Sequence, residues 1–324
     1  MLRSVVASSA AELESLRPEW ECLYRTGDYT FFQSFSWNFL GARCFAHCES
    51  PCVVYVEDEA GAALVPAAVR EDRIVLLGDA LFDYRDVLAA GDPGLLRRAW
   101  GKLAGFGLPL EVTALAGTRA LRAWEAMDFS PKRYAAAPRV LADEISPDEF
   151  AREHTRSARL LRRLARAGAE VRQHAGDESD LVRYIYRAKG EQFAGRSGNL
   201  FADRARVEFM IAAAALDPAA CEIFTLEAGS TLVAALVTFR DHSIRRFYTI
   251  YYDQRWAHYS PGVALVFEVT RRSLVDGLDS DYMTGEQPHK TRLATSRMAL
   301  FRVDASAHNL RSLAQLPVPV PAAA

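Results

Sequence analysis

The residues best suited to chemistry lie in the stretch DYMTGEQPHKTRLATSRMALFRV, which runs from Asp281 to Val303. It places Glu286, His289 and Lys290 between two apolar runs that we predict as buried strands. A lysine ammonium can stabilise a developing oxyanion, and a carboxylate can accept a proton. A loop that only turns the chain is usually built from Gly, Pro, Asn and Asp. These ionisable side chains therefore indicate a functional site on a loop held by a rigid scaffold.

Lysine itself is rare in this chain. Lysines and arginines together number 39, and the lysines are Lys102, Lys132, Lys189 and Lys290. A codon bias that replaces surface lysine by arginine explains the general pattern. In such a chain, a lysine that remains is expected where a compact, titratable ammonium is needed.

A second candidate site is the segment HYSPGVAL, from His258 to Leu265. Pro261 and Gly262 are typical of the first turn of a helix, where backbone N–H groups lack an intrahelical partner and can bind an anion such as a pyrophosphate. Gly262 and Ala264 are small enough for an oxygen-rich ligand to approach the backbone. The sequence leaves open the alternative that this segment merely starts a helix.

A third feature is a stripe of five arginines in a helix that we predict from Ser146 to Gly168. They recur at alternating spacings of four and three residues and so share one helix face: Arg152, Arg156, Arg159, Arg163 and Arg166. Such a stripe can bind a polyanion, for example transfer RNA or a diphosphate-bearing substrate. The alternative is a solvated face in an arginine-rich protein.

No metal site is predicted. Cys44, Cys48 and Cys52 are evenly spaced, but Pro51 would break the helix needed to align them, and their spacing does not match known zinc sites. Free thiols are expected instead. The sequence also has no Walker loop, GxSxG, HExxH or dinucleotide-binding motif.

The pattern of apolar and polar residues predicts the same order of elements in both halves: a hairpin, a third strand, a loop, a helix and a strand. In the second half, CEIFTLE and TLVAALVTFR form the hairpin, IRRFYTIYY the third strand, and residues 263–276 the helix. We therefore predict an α+β fold of two domains, residues 1–145 and 146–316, and a disordered tail, residues 317–324. A first-half helix is predicted at residues 118–127.

This order of elements resembles that of the GNAT acyltransferases, in which a glycine turn holds the diphosphate of coenzyme A and the preceding strand binds its pantetheine arm. The family's motif Q/R-x-x-G-x-G/A corresponds to YSPGVA here, so Tyr259 stands in place of Gln or Arg. The resemblance implies two tandem GNAT-like domains, each a mixed central sheet flanked by helices, with the N-terminal domain degenerate. It also implies that coenzyme A is bound by Tyr259, Ser260, Gly262, Val263 and Ala264.

The segments YYDQRWAHYSPGVAL and DSDYMTGEQPHKTRL together resemble a subfamily of tandem-GNAT proteins, the cellulose-biosynthesis-type acetyltransferases. In that subfamily an aromatic residue precedes the lysine, and this chain has His289 there. The same fold is used by the Fem-type transferases, which take an aminoacyl group from transfer RNA and form a peptide bond. Those enzymes carry a helical coiled-coil arm in the second half, and no segment of this sequence is long enough for one.

For acyl transfer to an amine, we predict that Lys290 stabilises the tetrahedral oxyanion. The alternative for Lys290 is a loop ion pair with Glu286. The candidate acceptors of the amine's proton are Glu286, Asp281 and Tyr252, with Tyr251 and Tyr282 as further possibilities. The candidates for substrate binding are His289 and, from the segment DYRD, Asp83, Tyr84 and Arg85, for which ion pairs within the loop are the alternative.

Three functions follow from these features. The first is an acyltransferase that moves an acyl group from acyl-CoA, or a related thioester, directly to an amine of a small-molecule acceptor without a metal. The second uses aminoacyl-tRNA as the donor, which the arginine stripe favours. The third is a non-catalytic binding protein on a decayed GNAT scaffold.

Composition limits the partners. The net charge of -2 and the pI near 6.4 exclude a generally basic protein, so transfer RNA would need a local patch. Apolar runs such as LVAALVTF are too short to cross a bilayer, and the N-terminus lacks the apolar core of a signal peptide. We therefore expect a cytoplasmic protein with no membrane partner.

Overall fold

The structure, a computed structural model, describes residues 2–116 and 129–315. The chain divides into two compact units: unit 1 consists of residues 1–135 with 299–324, and unit 2 of residues 136–298. The helix predicted at residues 118–127 and the disordered tail predicted at residues 317–324 lie outside the described residues.

The described elements mix strands and helices throughout. The strands are β1 (Arg3–Ala7), β2 (Ser50–Pro51), β3 (Val53–Asp58), β4 (Gly61–Val65), β5 (Ala67–Arg70), β6 (Arg73–Leu76), β7 (Leu88–Gly91), β8 (Leu110–Leu115), β9 (Lys132–Val140), β10 (Ala169–Ala175), β11 (Cys221–Ala228), β12 (Thr231–Asp241), β13 (Ile244–Tyr252), β14 (Asp279–Asp281) and β15 (Ser296–Ala305). The helices are α1 (Ala10–Ser15), α2 (Arg17–Arg25), α3 (Phe35–Cys44), α4 (Gly94–Leu103), α5 (Pro147–Glu153), α6 (Thr155–Arg166), α7 (Ser179–Gln192), α8 (Arg204–Leu216), α9 (Pro261–Val275), α10 (Pro288–Leu293) and α11 (Ala307–Gln315).

Unit 1 contains two groups of paired strands. The order β1-β3-β4-β7 is antiparallel throughout. The order β2-β5-β6-β8-β15 is antiparallel except for the pair β6 and β8. An apolar face of α4, with Leu96 and Trp100, packs into a core with Val54 and Leu76.

The last part of the chain completes unit 1. β15 pairs with β8 from Phe301 opposite Leu115 to Ala305 opposite Leu110, and Leu310 of α11 lies in the same core. The division at residues 135 and 298 therefore differs from the domains predicted from the sequence, which placed the boundary near residue 145 and assigned residues 299–316 to the second domain.

Unit 2 is built on strands in the order β10-β11-β12-β13-β14-β9. All neighbours are antiparallel except β13 and β14, which are parallel because α9 connects them. Buried residues of α9, among them Leu265 and Phe267, pack against strand residues such as Phe224 and Leu236. The fold is α+β with mixed sheets and flanking helices, as predicted.

Two predictions about local structure are wrong. The helix predicted from Ser146 to Gly168 is broken at His154, whose backbone angles are φ -106 and ψ 41, so α5 and α6 are separate helices. The polar turn before Met298 is not a simple loop, since Pro288–Leu293 forms α10. The predicted cap at Ser146 is confirmed, because its side chain accepts a hydrogen bond from the N–H of Glu149 over 3.2 Å.

Candidate active site

The candidate site lies where two parallel strands of unit 2 separate. β13 and β14 are paired only over Ile244–Arg246 and Asp279–Asp281. β13 then continues beside β12 as far as Tyr252. The edge of β13 beyond Arg246 has no pairing with β14, and the backbone of such an edge can bind an extended ligand.

The segment that follows β14 stays beside β9. Tyr282 N–H donates to the carbonyl of Pro138, and Gly285 N–H donates to the carbonyl of Ala136, each over 3.0 Å. Because β13 follows β12 while this segment follows β9, the two diverge. We call the space between β13 and the segment Tyr282–Gly285 the strand gap.

The backbone groups of β13 change direction where the strand gap begins. The register between β12 and β13 shifts at a β-bulge in which Tyr248 is the inserted residue, and bulges are frequent beside active sites. Beyond the bulge, Asp253 N–H bonds the carbonyl of Val233 on β12 over 2.9 Å. Successive strand residues direct their backbone groups to opposite edges. Ile250 therefore directs its N–H and carbonyl toward the strand gap.

Lys290 lies on the β14 side of the strand gap. It is on α10, and its Nζ donates to the carbonyl of Thr284 over 3.0 Å and to that of Met283 over 3.5 Å. Both acceptors belong to the segment that diverges from β13. Backbone carbonyls therefore hold the ammonium of Lys290 at the strand gap, in the stretch where the sequence predicts a functional site.

A second lysine, which the sequence analysis did not assign to the site, lies on the β13 side. Lys189 of α7 is partly buried, and its Nζ donates to the carbonyl of Ile250 over 2.6 Å. Burial, and then the positive charge of nearby Lys290, lower the pKa of Lys189 to about 8. Two of the four lysines of the chain therefore lie beside the strand gap, so the scarcity of lysine was the signal that could have identified Lys189.

The predicted diphosphate turn lies against β13. Ser260 adopts the left-handed conformation (φ 51, ψ 52) and precedes α9 without a side-chain cap, which leaves the first-turn N–H groups of α9 without a capping side chain. A Cβ on Gly262 would meet Ile250 Cδ1 at 3.1 Å and Tyr252 Cδ1 at 3.5 Å. Glycine therefore lets the start of α9 approach the strand that borders the gap. Val263 is half-buried and Ala264 is buried.

An exposed arginine surface adjoins this turn. The guanidinium of Arg163 lies 5.3 Å from the ring centroid of Tyr259, and that ring also contacts Trp256 and His258. All five arginines of the predicted stripe are exposed, and none forms an ion pair with an acid in the described part of the chain. The stripe is divided between two helices, with Arg152 on α5 and the other four on α6.

The predicted proton acceptors have other partners. Asp281 is fully buried, and its Oδ2 accepts from Arg246 over 2.7 Å and lies 3.1 Å from Arg139 Nη2. Its Oδ1 accepts from the N–H of Met283 over 2.9 Å. Glu286 is exposed and pairs with Arg297 over 3.2 Å. These bonds occupy the oxygens of both carboxylates that the sequence analysis offered as proton acceptors.

The aromatic candidates differ in their surroundings. Tyr282 is buried and its hydroxyl bonds Thr270 Oγ1 over 2.9 Å, and burial raises its pKa. Burial and then neighbouring Tyr184 raise the pKa of Tyr251 to about 12. Tyr252 is half-buried beside the diphosphate turn.

His289 is half-buried on α10, next to Lys290. Burial, and then the charge of Lys290, lower its pKa. At neutral pH both effects favour the uncharged imidazole, which can donate and accept hydrogen bonds. Its predicted role in substrate binding stays a prediction.

The other predicted substrate-binding residues lie in unit 1. Tyr84 and Arg85 are buried and Asp83 is half-buried. Arg85 Nη1 donates to the carbonyl of Leu76 over 2.8 Å, and Nε to that of Phe82 over 3.3 Å. These bonds hold the DYRD loop in its own unit, and acceptor binding by this loop stays a prediction.

Within residues 2–116 and 129–315, no group of three His, Cys, Asp or Glu side chains is arranged to hold a metal ion. The five cysteines are free thiols, with Cys22 and Cys48 exposed. No helix in those two ranges is both long and apolar enough to span a bilayer.

Comparison with known proteins agrees with this geometry. Residues 151–291, which lie in unit 2, match the family model described as an acetyltransferase (GNAT) domain. No curated protein matches the chain.

Solved structures resemble the chain over nearly its whole length. The C-terminal domain of a putative lysylphosphatidylglycerol synthetase from Agrobacterium fabrum is 10% identical with a TM-score of 0.63, and the match covers 94% of this chain and 96% of that one. FemX is 9% identical with a TM-score of 0.59, covering 96% and 99%. A tandem GNAT protein from the clavulanic acid biosynthesis pathway is 12% identical with a TM-score of 0.54, covering 95% and 99%. These structures establish the fold, and the match of residues 151–291 to a GNAT acetyltransferase domain supports a transferase.

Proposed function

We propose that the chain transfers an acyl group from acyl-CoA to an amine of a small-molecule acceptor. The observation that carries this proposal is the strand gap, bordered by the uncapped start of α9 and by Lys290. The residues present fit acyl-CoA as a substrate. The gap edge of β13 can pair with the amides of a pantetheine arm, as it would with an added strand. The first-turn N–H groups of α9, at Gly262 and Val263, can hold a diphosphate.

Residues around the turn support the same assignment. Tyr259 and Ser260 form the entry to α9, and Ala264 adds no bulky side chain there. The charge of Arg163, beside the Tyr259 ring, favours an anion at this place. These contacts support the binding of coenzyme A without the Gln or Arg that usually begins the motif.

The chemistry needs no covalent enzyme intermediate. The neutral amine attacks the thioester carbonyl, and the C–N bond forms while the carbonyl oxygen becomes an oxyanion. The ammonium of Lys290 stabilises that oxyanion. The intermediate then collapses, the C–S bond breaks, and the amide and coenzyme A leave. One proton passes from the amine, and the sulfur ends protonated.

The acids predicted for proton transfer are not used in this proposal. Asp281 is fully buried, and its Oδ2 is occupied by two guanidinium groups. Glu286 is exposed and paired with Arg297. The carboxylate of Asp281 instead fixes Arg139 and Arg246 where β14 ends.

The test is a transfer assay with acetyl-CoA and a panel of primary amines. Release of coenzyme A is measured by chromatography, because exposed Cys22 and Cys48 would react with a thiol reagent. We expect Lys290→Ala to lower kcat by about 10²- to 10³-fold, as loss of one oxyanion donor does. Lys102→Ala, at an exposed position in unit 1, is the matched control.

Coenzyme A should also raise the unfolding temperature of the protein, because a ligand that binds the folded state stabilises it. A chain that is neither stabilised by coenzyme A nor able to release it from acetyl-CoA would contradict the proposal. Full activity of Lys290→Ala would remove that residue from the mechanism.

Two narrower assignments accompany the proposal. The segments around Gly262 and Lys290 favour the cellulose-biosynthesis-type subfamily of tandem-GNAT acetyltransferases. We also propose a cytoplasmic location. Finding the protein in the soluble cell fraction, together with its acceptor, would test the second assignment.

The arginine surface supports a second candidate function, transfer of an aminoacyl group from aminoacyl-tRNA. The exposed arginines of α5 and α6 have no acidic partner in the described residues, and Arg163 connects them to the start of α9. A surface of this kind releases counterions when it binds phosphates, so its affinity falls steeply with salt.

Filter binding of transfer RNA at several salt concentrations tests this candidate. Reversal of Arg156, Arg159 and Arg163 to Glu should weaken binding and reduce the slope of log K against log salt by about 2 to 3. Reversal of three exposed arginines elsewhere serves as the control: Arg25, Arg43 and Arg311. Equal affinities of the two triple variants would eliminate transfer RNA as the donor.

A further inference from the structure

We propose that Lys189 accepts the proton of the attacking amine, while Lys290 stabilises the oxyanion from the other side of the strand gap. This inference rests on the proposed acyl transfer. It adds the proton acceptor, for which the sequence analysis considered only acids and tyrosines. It assigns different chemistry to two lysines that both bind backbone carbonyls at the gap.

The first argument is position. Lys189 Nζ donates to the carbonyl of Ile250. That carbonyl points to the gap edge of β13, because Asp253, three residues further on, directs its N–H to the β12 edge. Lys290 binds the carbonyls of Met283 and Thr284 on the diverging segment. The two ammonium groups therefore border the gap from its two sides.

The second argument is the direction from which each substrate approaches. Adjacent strand residues point to opposite faces of a sheet. Ile250 and Tyr252 face the diphosphate turn at Gly262. Thr249 and Tyr251 face α7, since Tyr186 OH donates to Thr249 Oγ1 over 3.1 Å and the Tyr251 ring meets that of Tyr184 edge-on. Lys189 thus reaches the gap from the face opposite the diphosphate turn.

A cavity on the α7 face can receive the acceptor. It has a volume of about 460 Å³, and its lining includes Arg183, Tyr184 and Arg187 of α7 with Tyr251 and Asp253 at the end of β13. This volume lies within the usual range for small-molecule sites. Lys189 itself does not line this cavity, although the adjoining Ala188 does. An acceptor bound here reaches Lys189 when its amine extends from the cavity to the gap edge of β13, while the thioester enters from the face of α9.

The third argument is electrostatic. No carboxylate in the described residues lies within ion-pair distance of Lys189, whereas a second ammonium, Lys290, acts on it. Arg196 shares the Phe193 ring with Lys189, His289 adjoins Lys290 on α10, and Tyr251 adjoins Ile250 on β13. None of these supplies a negative charge at neutral pH. A partly buried ammonium among cations loses its proton more readily than one in water.

The proton transfer balances. Lys189 starts as a neutral amine, whose N–H bonds the Ile250 carbonyl and whose lone pair is available. After attack, the substrate nitrogen carries a positive charge, and Lys189 takes one proton from it to become an ammonium. That proton then passes to the departing thiolate, directly or through water, so the products are the amide and coenzyme A and Lys189 is neutral again.

Arginine substitution separates the two roles. Arginine keeps a positive charge but does not lose its proton in a protein. We expect Lys189→Arg to be as defective as Lys189→Ala, with kcat lowered by about 10²- to 10⁴-fold as for loss of a general base. Lys290→Arg should retain far more activity than Lys290→Ala. Lys102→Arg is the control for arginine introduced at an exposed site.

The pH profile gives an independent readout. In the wild type, kcat/KM for an amine of low pKa should rise with pH to a plateau, with an apparent pKa of about 8. This limb should be absent from Lys189→Ala, and small exogenous amines should partly restore its rate. Activity of Lys189→Arg within a few-fold of wild type, or an unchanged limb in Lys189→Ala, would overturn the inference while leaving acyl transfer intact. A wild type with no acyl transfer at any pH would overturn both.

Discussion

The environment of Lys189 leads to a prediction about stability that needs no substrate. Replacing it by methionine, which has a similar length and no charge, should stabilise the protein at pH 7 and destabilise it near pH 10.5. The reason is that the folded protein holds this ammonium partly buried and beside Lys290, with no acid of residues 2–116 and 129–315 at ion-pair distance. The two states of the chain therefore release the proton at different pH values.

The magnitude follows from the pKa. The pKa of Lys189 falls from 10.5 in the unfolded chain to about 8 in the folded chain. The charged form of Lys189 therefore destabilises the folded state by about 3 kcal/mol. Below pH 8 both the folded and the unfolded chain carry the proton, so the folded state bears the whole of this destabilisation. Between pH 8 and 10.5 the unfolded state binds more protons than the folded state, so the wild type gains up to this amount as pH rises.

The methionine variant lacks this titration but leaves the Ile250 carbonyl without its donor, which costs about 1 to 3 kcal/mol. The variant should therefore be more stable than the wild type by about 1 kcal/mol at pH 7 and less stable by a similar or larger amount near pH 10.5. Urea unfolding in reductant at pH 7, 8, 9 and 10.5 measures the difference. Lys102→Met, at an exposed position, is the control. A difference between Lys189→Met and wild type that does not change with pH would refute the assignment of a lysine whose pKa is lowered in the folded protein.

Three further outcomes are expected. Asp281→Asn should lower the free energy of unfolding by about 1.5 to 3 kcal/mol, since it removes the charged acceptor shared by Arg139 and Arg246 while Arg246 keeps its bond to Asp241; equal urea midpoints would contradict this. Gly262→Val should weaken coenzyme A binding, because its side chain would crowd Ile250 Cδ1 and push the start of α9 away from β13; calorimetric titration measures the affinity, and wild-type affinity would argue against a diphosphate at this turn. Tyr282→Phe should cost about 1 kcal/mol through loss of the bond to Thr270 and leave kcat unchanged, whereas a large loss of kcat would make this tyrosine catalytic.

Local sequence signals were enough to predict most elements of unit 2. β13 was predicted over the residues it occupies, and the β11–β12 hairpin was recognised from its two apolar runs and the glycine between them. Such signals act within a few residues, where periodicity and turn chemistry decide the conformation. Gly262 and Lys290 were found in the same way, because each lies in a short segment of unusual composition.

The features that were missed depend on residues far apart in the chain. β15 looks like the last strand of the second domain until its pairing with β8 is known. Asp281 is a candidate proton acceptor in the sequence, and only the fold shows Arg139 beside it. Lys189 lies in an ordinary amphipathic helix, and only tertiary packing brings its Nζ to Ile250. Patterns within a helix predict which face is buried, but they do not predict which backbone group that face will meet.

The choice of lysine at both positions is itself informative. Arginine could hold the carbonyls of Ile250 and Thr284 equally well, and this chain uses arginine at nearly all its basic positions. Arginine cannot release a proton, however, and a compact ammonium places its whole charge at one atom. The charge of Lys290 that would stabilise an oxyanion also lowers the pKa of Lys189. Lys290 and Lys189 therefore form a coupled pair across the strand gap. The charge of Lys290 lowers the pKa of Lys189, so that Lys189 can accept a proton.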